Sequence, residues 1–451
     1  MALFLCSPLS ATPITWSGGD GTGTIWNNTA NWSGGVIPGT IHTAVLGAAG
    51  SATNLGINFA SGTNNGAGNQ IVGNISQDAA ATLSRVIGNN SATAGTLTLS
   101  GISGVILENL SAQTLTLAPN VNGGTGGMSV AVPLGIPAIN ATGNIVISAN
   151  LTGNAFSKTG AGTLTLTGTN AQSGFGTVTG GVLQIGDGGT TGTVGNMHLA
   201  LADGANVTFN RSDTLTYALN ITNHPANTTG SVTQAGTGTT IFTGTGHNYG
   251  GVTTVSAGKL QLGNGGTSGS IGSGAVSIAS GATLAVNRSN NYSLGSGNIL
   301  SGAGTLEKSG AGTLTLNTNP STGFTGGVSI LGGNLNVQSA TGGTHSLSNA
   351  GTITTSGTGT LGLTGGTAYT FAKTITGTGR VSFDATVAIT VGGNNSYSGP
   401  TTISNLSGAL VVTNLANGGS NSNLGAASSD AANLVFNTGV LRYTGAGSST
   451  D

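Results

Sequence analysis

Hydrophobic and polar residues alternate along short segments of this chain, and Gly or Asn separates one segment from the next. In "GTLTLTG", Leu164 and Leu166 fall on one side and the threonines between them on the other. The same alternation recurs at residues 95–99, 114–117 and 312–316. A period of two predicts β-strands with one buried face, and β-branched Thr suits the hydrated outer face. Since no apolar stripe has helical spacing, the pattern predicts an all-β protein.

A longer repetition, with steps of about 75 residues, overlies this alternation. The segment "SKTGAGTLTLTGTN" returns as "TQAGTGTTIFTGTG" and then as "EKSGAGTLTLNTNP". A second strand follows each copy, and its leucine is predicted to occupy one structural column at Leu183, Leu260, Leu335 and Leu410. The residues just before these leucines differ widely in type, which predicts that they face solvent: Val182, Lys259, Asn334 and Ala409. An aromatic residue between the two strands is assigned to one equivalent position at Phe175, Tyr249, Phe324 and Tyr397.

Internal repetition of this kind is the signature of a solenoid. Strands with one apolar face can bury it by winding into a parallel β-solenoid, in which each coil pairs with the previous one. A repeat of about 75 residues would then hold three or four coils of roughly 20–25 residues. An antiparallel sandwich shows similar alternation, but it does not require equivalent residues at even steps. We therefore predict a single elongated parallel rod.

Four regions are predicted along this rod. Residues 1–13 form a leader-like segment, residues 14–60 an N-terminal cap, residues 61–155 divergent coils and residues 156–451 about four repeats. Trp16, Trp26 and Trp32 are expected to cover the first coil, with stacking on sugar rings as the alternative. The C-terminal end carries no comparable device, which favours a fragment of a longer protein.

Composition and charge exclude several classes of function. The 451 residues include 84 Gly, and nine basic residues balance ten acidic ones to give a net charge of −1. Such a chain has no basic patch for nucleic acid or for an anionic membrane surface. The single cysteine, Cys6, excludes an intrachain disulfide, and no apolar run is long enough to span a bilayer. Residues 1–13 resemble the end of a signal peptide without its basic region, and an ordinary mature N-terminus stays open.

Candidate chemistry is sparse, and we assign no catalytic, cofactor-binding or metal-binding residue. Asp187, Asp203 and Asp213 lie within one repeat, but Asn264, Ser280 and Asn290 replace them in the next, an exchange that β-turns tolerate. Glu108, Glu307 and Asp384 are isolated in sequence. The histidines lack metal-binding spacing and are expected in turns or at the surface: His42, His198, His224, His247 and His345. "GGDG" at residues 18–21 occurs once, too little for a calcium-binding repeat.

The repeated segments resemble the autotransporter-associated β-strand repeat of Gram-negative surface proteins. The resemblance rests on residues 158–170 with 175–186, 247–263, 308–316 with 324–337, and 394–412. The early "W…W…NW" pattern is similar to the opening of many such proteins. The resemblance implies a right-handed parallel β-helix displayed outside the cell. It also implies a C-terminal barrel or other anchor that this sequence does not contain.

The sequence therefore predicts an extracellular structural or adhesive passenger segment that is not an enzyme. Surface glycans or neighbouring rods are its expected partners, and the rows of outward Thr, Asn and Ser either contact them or keep the surface hydrated. Two alternatives stay open. One is a carbohydrate-active β-helix enzyme, which requires carboxylates from several coils to converge. The other is a filament subunit that associates through its open C-terminal coil.

Overall fold

The computed structural model describes residues 12–17, 26–48, 53–58, 69–101, 104–132, 135–225, 229–316, 323–339, 344–404 and 407–447. The leader-like residues 1–11, Cys6 and the "GGDG" segment lie outside the described residues. The chain divides into two compact units, residues 1–213 with 219–231, and residues 214–218 with 232–451. Each unit consists of short β-strands, and the described helices are three single 3-10 segments, Thr29–Asn31, Ser33–Gly35 and Ala431–Asn433.

Unit 1 contains three stacks of strands, and each strand of a stack pairs with the strand named after it. A nine-stranded sheet comprises Thr12–Thr15, His42–Leu46, Asn74–Gln77, Val105–Asn109, Ala138–Ala141, Ser157–Thr159, Ser173–Val178, Asn196–Leu201 and Ile221–Asn223. A four-stranded sheet comprises Asn150–Gly153, Met128–Val132, Gly95–Leu99 and Asn69–Val72. The third stack comprises Asn54–Ile57, Arg85–Asn89, Leu115–Asn120, Ile145–Ile147, Thr163–Leu166, Val182–Ile185 and Asn206–Phe209.

Unit 2 has the same construction. An eight-stranded sheet comprises Thr214–Tyr217, Thr239–Phe242, Lys259–Leu262, Thr283–Asn287, Thr305–Ser309, Val328–Ile330, Ile353–Thr355 and Ile375–Gly377. A seven-stranded sheet comprises Tyr292–Ser293, Thr313–Leu316, Asn334–Gln338, Thr360–Gly365, Arg380–Ala385, Thr401–Ser404 and Leu434–Asn437. Two further stacks comprise Ser231–Gln234, Thr253–Val255, Val276–Ile278, Leu300–Gly302 and Gly323–Phe324, and then Tyr369–Phe371, Ile389–Val391, Leu410–Val412 and Leu441–Tyr443.

Neighbouring strands in these stacks run parallel, which confirms the β-solenoid and rejects the antiparallel sandwich. Leu164 pairs in register with Leu183, and Leu183 with Val207, so apolar residues of successive coils lie on one another. All three are fully buried, while Thr163 and Thr165 are partly exposed on the outer face. The alternation in the sequence thus gives each strand a buried inner row and a hydrated outer row. Burial of the inner rows is the main stabilising contribution.

The length of one coil explains how the 75-residue repeat fits the solenoid. In unit 2, Leu260 pairs with Leu284, which pairs with Leu306, so one coil takes 22 to 24 residues. This length agrees with the sequence prediction. Three coils use about 69 residues, and each repeat therefore extends about one third of a coil beyond three complete coils.

The prediction of a single leucine column is consequently wrong. Leu260, Leu335 and Leu410 are all fully buried, but they lie in three different sheets of unit 2. Because the repeat is not a whole number of coils, each copy of the motif falls on the next face. Within each repeat the leucine instead pairs with the preceding strand of the same repeat, as Leu335 does with Leu314. The residues before the leucines do face outward, as predicted, and Val182, Lys259 and Ala409 are half-buried while Asn334 is exposed.

The aromatic position is also corrected by the structure. Tyr249, Phe324 and Tyr397 are fully buried, whereas Phe175 is 68% exposed. The interior position in the first repeat belongs to Gln172, which lies nine residues before Gly181, as Tyr249 lies nine before Gly258. Gln172 is fully buried. Alignment on the glycine rather than on the aromatic ring identifies the equivalent residue.

The residue four positions later changes together with this interior residue. The Tyr249 hydroxyl and Thr253 Oγ1 are 2.8 Å apart, and the Tyr397 hydroxyl and Thr401 Oγ1 are 2.7 Å apart. Where the tyrosine is replaced by Phe324, the partner is the apolar Val328. The buried hydroxyls are therefore satisfied in pairs, or absent in pairs, as burial in a dry interior requires.

The three tryptophans pack against one another in unit 1. The ring centroids of Trp16 and Trp32 are 4.8 Å apart and those of Trp26 and Trp32 are 4.7 Å apart, both in edge-to-face geometry. Trp32 Nε1 donates a hydrogen bond to the Trp26 carbonyl oxygen at 2.7 Å. All three are at most 2% exposed, so their faces are not available to stack on a sugar ring.

Candidate functional site

Two buried lysines bind backbone carbonyl oxygens at equivalent places in the first and third repeats. Lys158 Nζ donates to the carbonyl oxygens of Gly160 at 2.6 Å and Gly180 at 2.9 Å. Lys308 Nζ donates to those of Ser309, Gly310 and Gly332 at 2.6, 2.8 and 3.1 Å. Each ammonium thus joins its own glycine turn to the turn of the next coil. Burial lowers the pKa of both lysines to about 8.

The second repeat fills the same place with a neutral residue. Gln234 is 1% exposed, and its Nε2 donates to the carbonyl oxygens of Gly236 at 2.8 Å and Gly238 at 3.4 Å. The position therefore requires a long side chain with N–H donors rather than a charge. These lysines lie in the inner rows, where Lys308 pairs in register with Val286 and Ile330, so a structural role accounts for both.

An arginine after the third strand of a repeat holds a glycine-rich loop. Arg211 donates to the carbonyl oxygens of Thr190 at 2.6 Å and Gly192 at 2.7 Å, and it forms an ion pair with Asp213 at 2.7 Å. The hydrogen bond from Arg211 lowers the pKa of Asp213. In the next repeat Arg288 contacts the carbonyl oxygens of Thr267 and Gly269, and Asn290 accepts its Nε hydrogen bond at 3.1 Å.

The other two aspartates of this repeat also bind backbone groups. Asp187 accepts the backbone N–H of Gly189 at 3.3 Å, and Asp203 accepts that of Thr229 at 2.8 Å. Both are exposed, Asp213 is half-buried, and the contacts described for all three are local to turns and loops. The exchange of Asp213 for Asn290 keeps the acceptor that orients the arginine. A turn or loop role therefore explains the residue types at these positions.

The remaining carboxylates lie on separate outer rows. Glu307 forms an ion pair with Lys259 at 2.9 Å across two coils of unit 2. Glu108 is half-buried in Val105–Asn109 of unit 1, and Asp384 is exposed in Arg380–Ala385 of unit 2. A 370 Å³ cavity in unit 2 is lined by residues 401–441, and Asp430 is the one ionisable residue in its lining.

The histidines differ more than the sequence suggests. His42 Nδ1 accepts the backbone N–H of Gly39 at 3.0 Å, and His224 is half-buried. His247 and His345 are 6% and 3% exposed, which corrects the expectation that all five lie in turns or at the surface. Their rings pack in aromatic clusters, where His247 stacks on Phe242 with centroids 4.5 Å apart. An imidazole can replace an aromatic ring inside a coil when its polar atoms stay uncharged.

The stability of the folded chain is expected to fall with acidification because of His345. Burial and the charge of Lys373 lower its pKa to about 4, against a smaller opposite contribution from Thr370. The unfolded chain takes up this proton near pH 6.5 and the folded chain only near pH 4, so stability is lost as pH falls between these values. The full loss is about 3 kcal/mol. Urea unfolding of wild type and His345→Phe at pH 7, 5.5 and 4.5 tests this, and equal slopes in both proteins would contradict it.

Within the part of the chain that the structure describes, no group of three or more His, Cys, Asp or Glu side chains is arranged to hold a metal ion. Over the same residues, no helix has the length and hydrophobicity needed to cross a membrane.

Phe175 is the large apolar side chain that departs most clearly from the repeat. Its ring stacks on that of His198 from the next coil, with centroids 4.9 Å apart and an interplanar angle of 19°. Phe175 and His198 pair in register on the outer face of the nine-stranded sheet. The His198 Nδ1 accepts the backbone N–H of Asn220 at 3.2 Å. This exposed pair of rings is the strongest candidate binding feature on the described surface.

Comparison with known proteins agrees with the repeat geometry. The passenger-associated-transport-repeat family matches four segments, residues 156–185, 232–262, 306–337 and 374–412. Each segment contains a pair of strands that stack on each other in register, such as Thr163–Leu166 on Val182–Ile185. This is an autotransporter-type passenger repeat protein. The resemblance seen in the sequence is thereby confirmed, and the repeat encodes the contact between successive coils.

A curated relative leads to the same class of protein. The adhesin BmaC autotransporter of Brucella suis biovar 1 (strain 1330) is 35% identical to this chain over 225 residues. The match covers 49% of this chain and 5% of that adhesin, so the chain spans only a small part of that relative's length. No solved structure shows significant similarity to this chain.

Proposed function

We propose that this chain is an adhesive passenger segment that acts as a β-solenoid stalk on the outer surface of a Gram-negative bacterium. The observation that carries the proposal is the agreement between the four transport-repeat segments and the stacked strand pairs of the solenoid. Similarity to an autotransporter adhesin supports the adhesive role. The Trp-rich residues 14–60 would serve as its N-terminal cap, followed by the divergent coils and the repeats.

The segment would act through its surface and not through catalysis. The three aspartates of the first repeat bind turn or loop groups, and Glu307 is neutralised by Lys259. Glycoside cleavage needs two carboxylates facing each other across a groove, an arrangement that these contacts do not support. The neutral outer rows of Thr, Asn and Ser suit contact with uncharged partners.

Surface display tests this function directly. Residues 12–451 fused to an outer-membrane translocator and expressed in a non-adherent Gram-negative host should become sensitive to external protease and should increase adherence to epithelial cells. The translocator alone is the control. Protease sensitivity without increased adherence would leave a stalk without adhesive function. Retention of the fusion inside the cell would contradict the surface assignment.

A further inference from the structure

The outer face of the nine-stranded sheet carries an aromatic row beside a row of small side chains. We define the aromatic face as Phe175 and His198, together with the adjacent row Ser157, Thr177, Ala200 and Thr222. The register pairs Phe175 with His198, and separately Ser157 with Thr177, Thr177 with Ala200 and Ala200 with Thr222. Two residues along a strand separate the rows, a distance of about 6.6 Å.

The solenoid itself does not require an aromatic ring at Phe175. The residue six positions before the second-strand glycine is Phe175 in the first repeat, Val252 in the second and Gly327 in the third. Val252 is 45% exposed, so this position faces outward in the second repeat as well. Phe175 thus exposes an apolar ring where the fold accepts smaller residues, and single exposed rings in flat, rigid surroundings are typical of binding positions.

The aromatic face is free of charged side chains. The strands Ser157–Thr159, Ser173–Val178, Asn196–Leu201 and Ile221–Asn223 contain Lys158 as their one residue of the Asp, Glu, Lys or Arg types. Lys158 is fully buried, with its ammonium bound to carbonyl oxygens. Neither an acidic nor a basic ligand would find an opposite charge on these strands. The ligand that fits has a flat apolar side and neutral hydrogen-bonding groups.

We propose that the aromatic face binds a neutral oligosaccharide, an inference that rests on the adhesive function proposed above and names its ligand class. One face of a pyranose ring presents C–H groups, which pack on aromatic rings, while its edge presents hydroxyl groups. A sugar ring lies across Phe175 and His198, and the next sugar extends over the hydroxyl row.

Hydrogen-bonding groups stand in suitable places for this arrangement. Because the His198 Nδ1 accepts a backbone N–H, the neutral imidazole carries its proton on Nε2 and can donate it to a sugar oxygen. The Thr177 hydroxyl donates to Ser157 Oγ at 2.6 Å, which leaves the Ser157 hydroxyl hydrogen to donate elsewhere. The small side chain of Ala200 lies beside His198 in the same strand and leaves room for a substituent on the sugar.

Saturation-transfer NMR with cellohexaose, maltohexaose and chitohexaose tests the proposal, with oligogalacturonate as an anionic control. At least one neutral hexaose should receive saturation, and Phe175→Val should weaken its binding about tenfold, the loss expected for one stacking contact. His198→Ala should weaken binding less. Val252→Ala, at the equivalent outward position of the second repeat, should leave it unchanged. Phe175→Val should fold normally because Val252 is tolerated there.

Several outcomes would overturn the proposal. These are no saturation of any neutral hexaose, equal binding by wild type and Phe175→Val, or preferential binding of oligogalacturonate. Concentration-dependent dimers that Phe175→Val abolishes would assign the face to a second copy of this chain instead. Failure of hexaose binding leaves protease-sensitive surface display and adherence unaffected, so the two proposals fail separately.

Discussion

Replacement of Gly258 by Ala is expected to destabilise unit 2 by about 3 kcal/mol. Gly258 has φ +56°, and an added methyl group would overlap the carbonyl oxygen of Gly238 in the preceding coil. Gly181 and Gly333, at the same place in their repeats, have φ +60° and meet the carbonyl oxygens of Gly162 and Gly312 in the same way. The cost therefore combines an unfavourable backbone conformation with a clash against backbone that cannot move without breaking the ladder.

Gly281 offers a control that separates these two effects. It has φ +80° and no heavy atom within 4 Å of an added methyl group, so Gly281→Ala should cost only about 1 kcal/mol. Urea unfolding followed by circular dichroism measures both variants against wild type. Equal losses in the two variants would show that close approach of successive coils contributes nothing at Gly258.

Replacement of Lys308 by Met is expected to destabilise unit 2 by about 3 kcal/mol at pH 7. The change removes the donor that serves Ser309, Gly310 and Gly332, and Met fills the space without replacing any of these hydrogen bonds. Each buried carbonyl oxygen that loses its donor retains part of its desolvation penalty. The glycine turns on two coils would also lose the side chain that joins them.

The second repeat provides the matched variant for this experiment. Gln234 satisfies equivalent carbonyl oxygens with its amide, so Lys308→Gln should cost only about 1 kcal/mol. The same pair of substitutions at Lys158 should give the same order of stability in unit 1. Urea unfolding at pH 7 measures all four variants. If Lys308→Met were as stable as Lys308→Gln, the hydrogen bonds to the turns would have no net effect on stability.

The sequence predicted the class of fold because the relevant information is local. Alternation such as Leu164 and Leu166 against Thr163 and Thr165 specifies which side chains turn inward, and recurrence at 75 residues specifies stacking. The coil length of 22 to 24 residues also fell within the predicted range. These features depend on spacing, which a single sequence displays in full.

The errors came from properties that spacing alone does not fix. The leucines were assigned to one column because equivalence in sequence was taken as equivalence in space, and this fails when a repeat is not a whole number of coils. Phe175 was assigned to the interior because its ring was matched to Tyr249, when the shared glycine aligns Gln172 there instead. Burial of Lys308 depends on carbonyl oxygens from another coil, and a lysine in a glycine turn gives no local signal of that contact.

The extra third of a coil in each repeat also governs how mutations accumulate on the surface. In unit 2 the outward residues Lys259, Asn334 and Ala409 precede leucines on three different faces, so adjacent copies point in directions about 120° apart. Duplication of one repeat would therefore rotate a useful side chain away from its parent instead of placing it alongside. Three successive duplications would be needed before the same side chain returned to its original bearing, which favours single specialised patches over long uniform stripes.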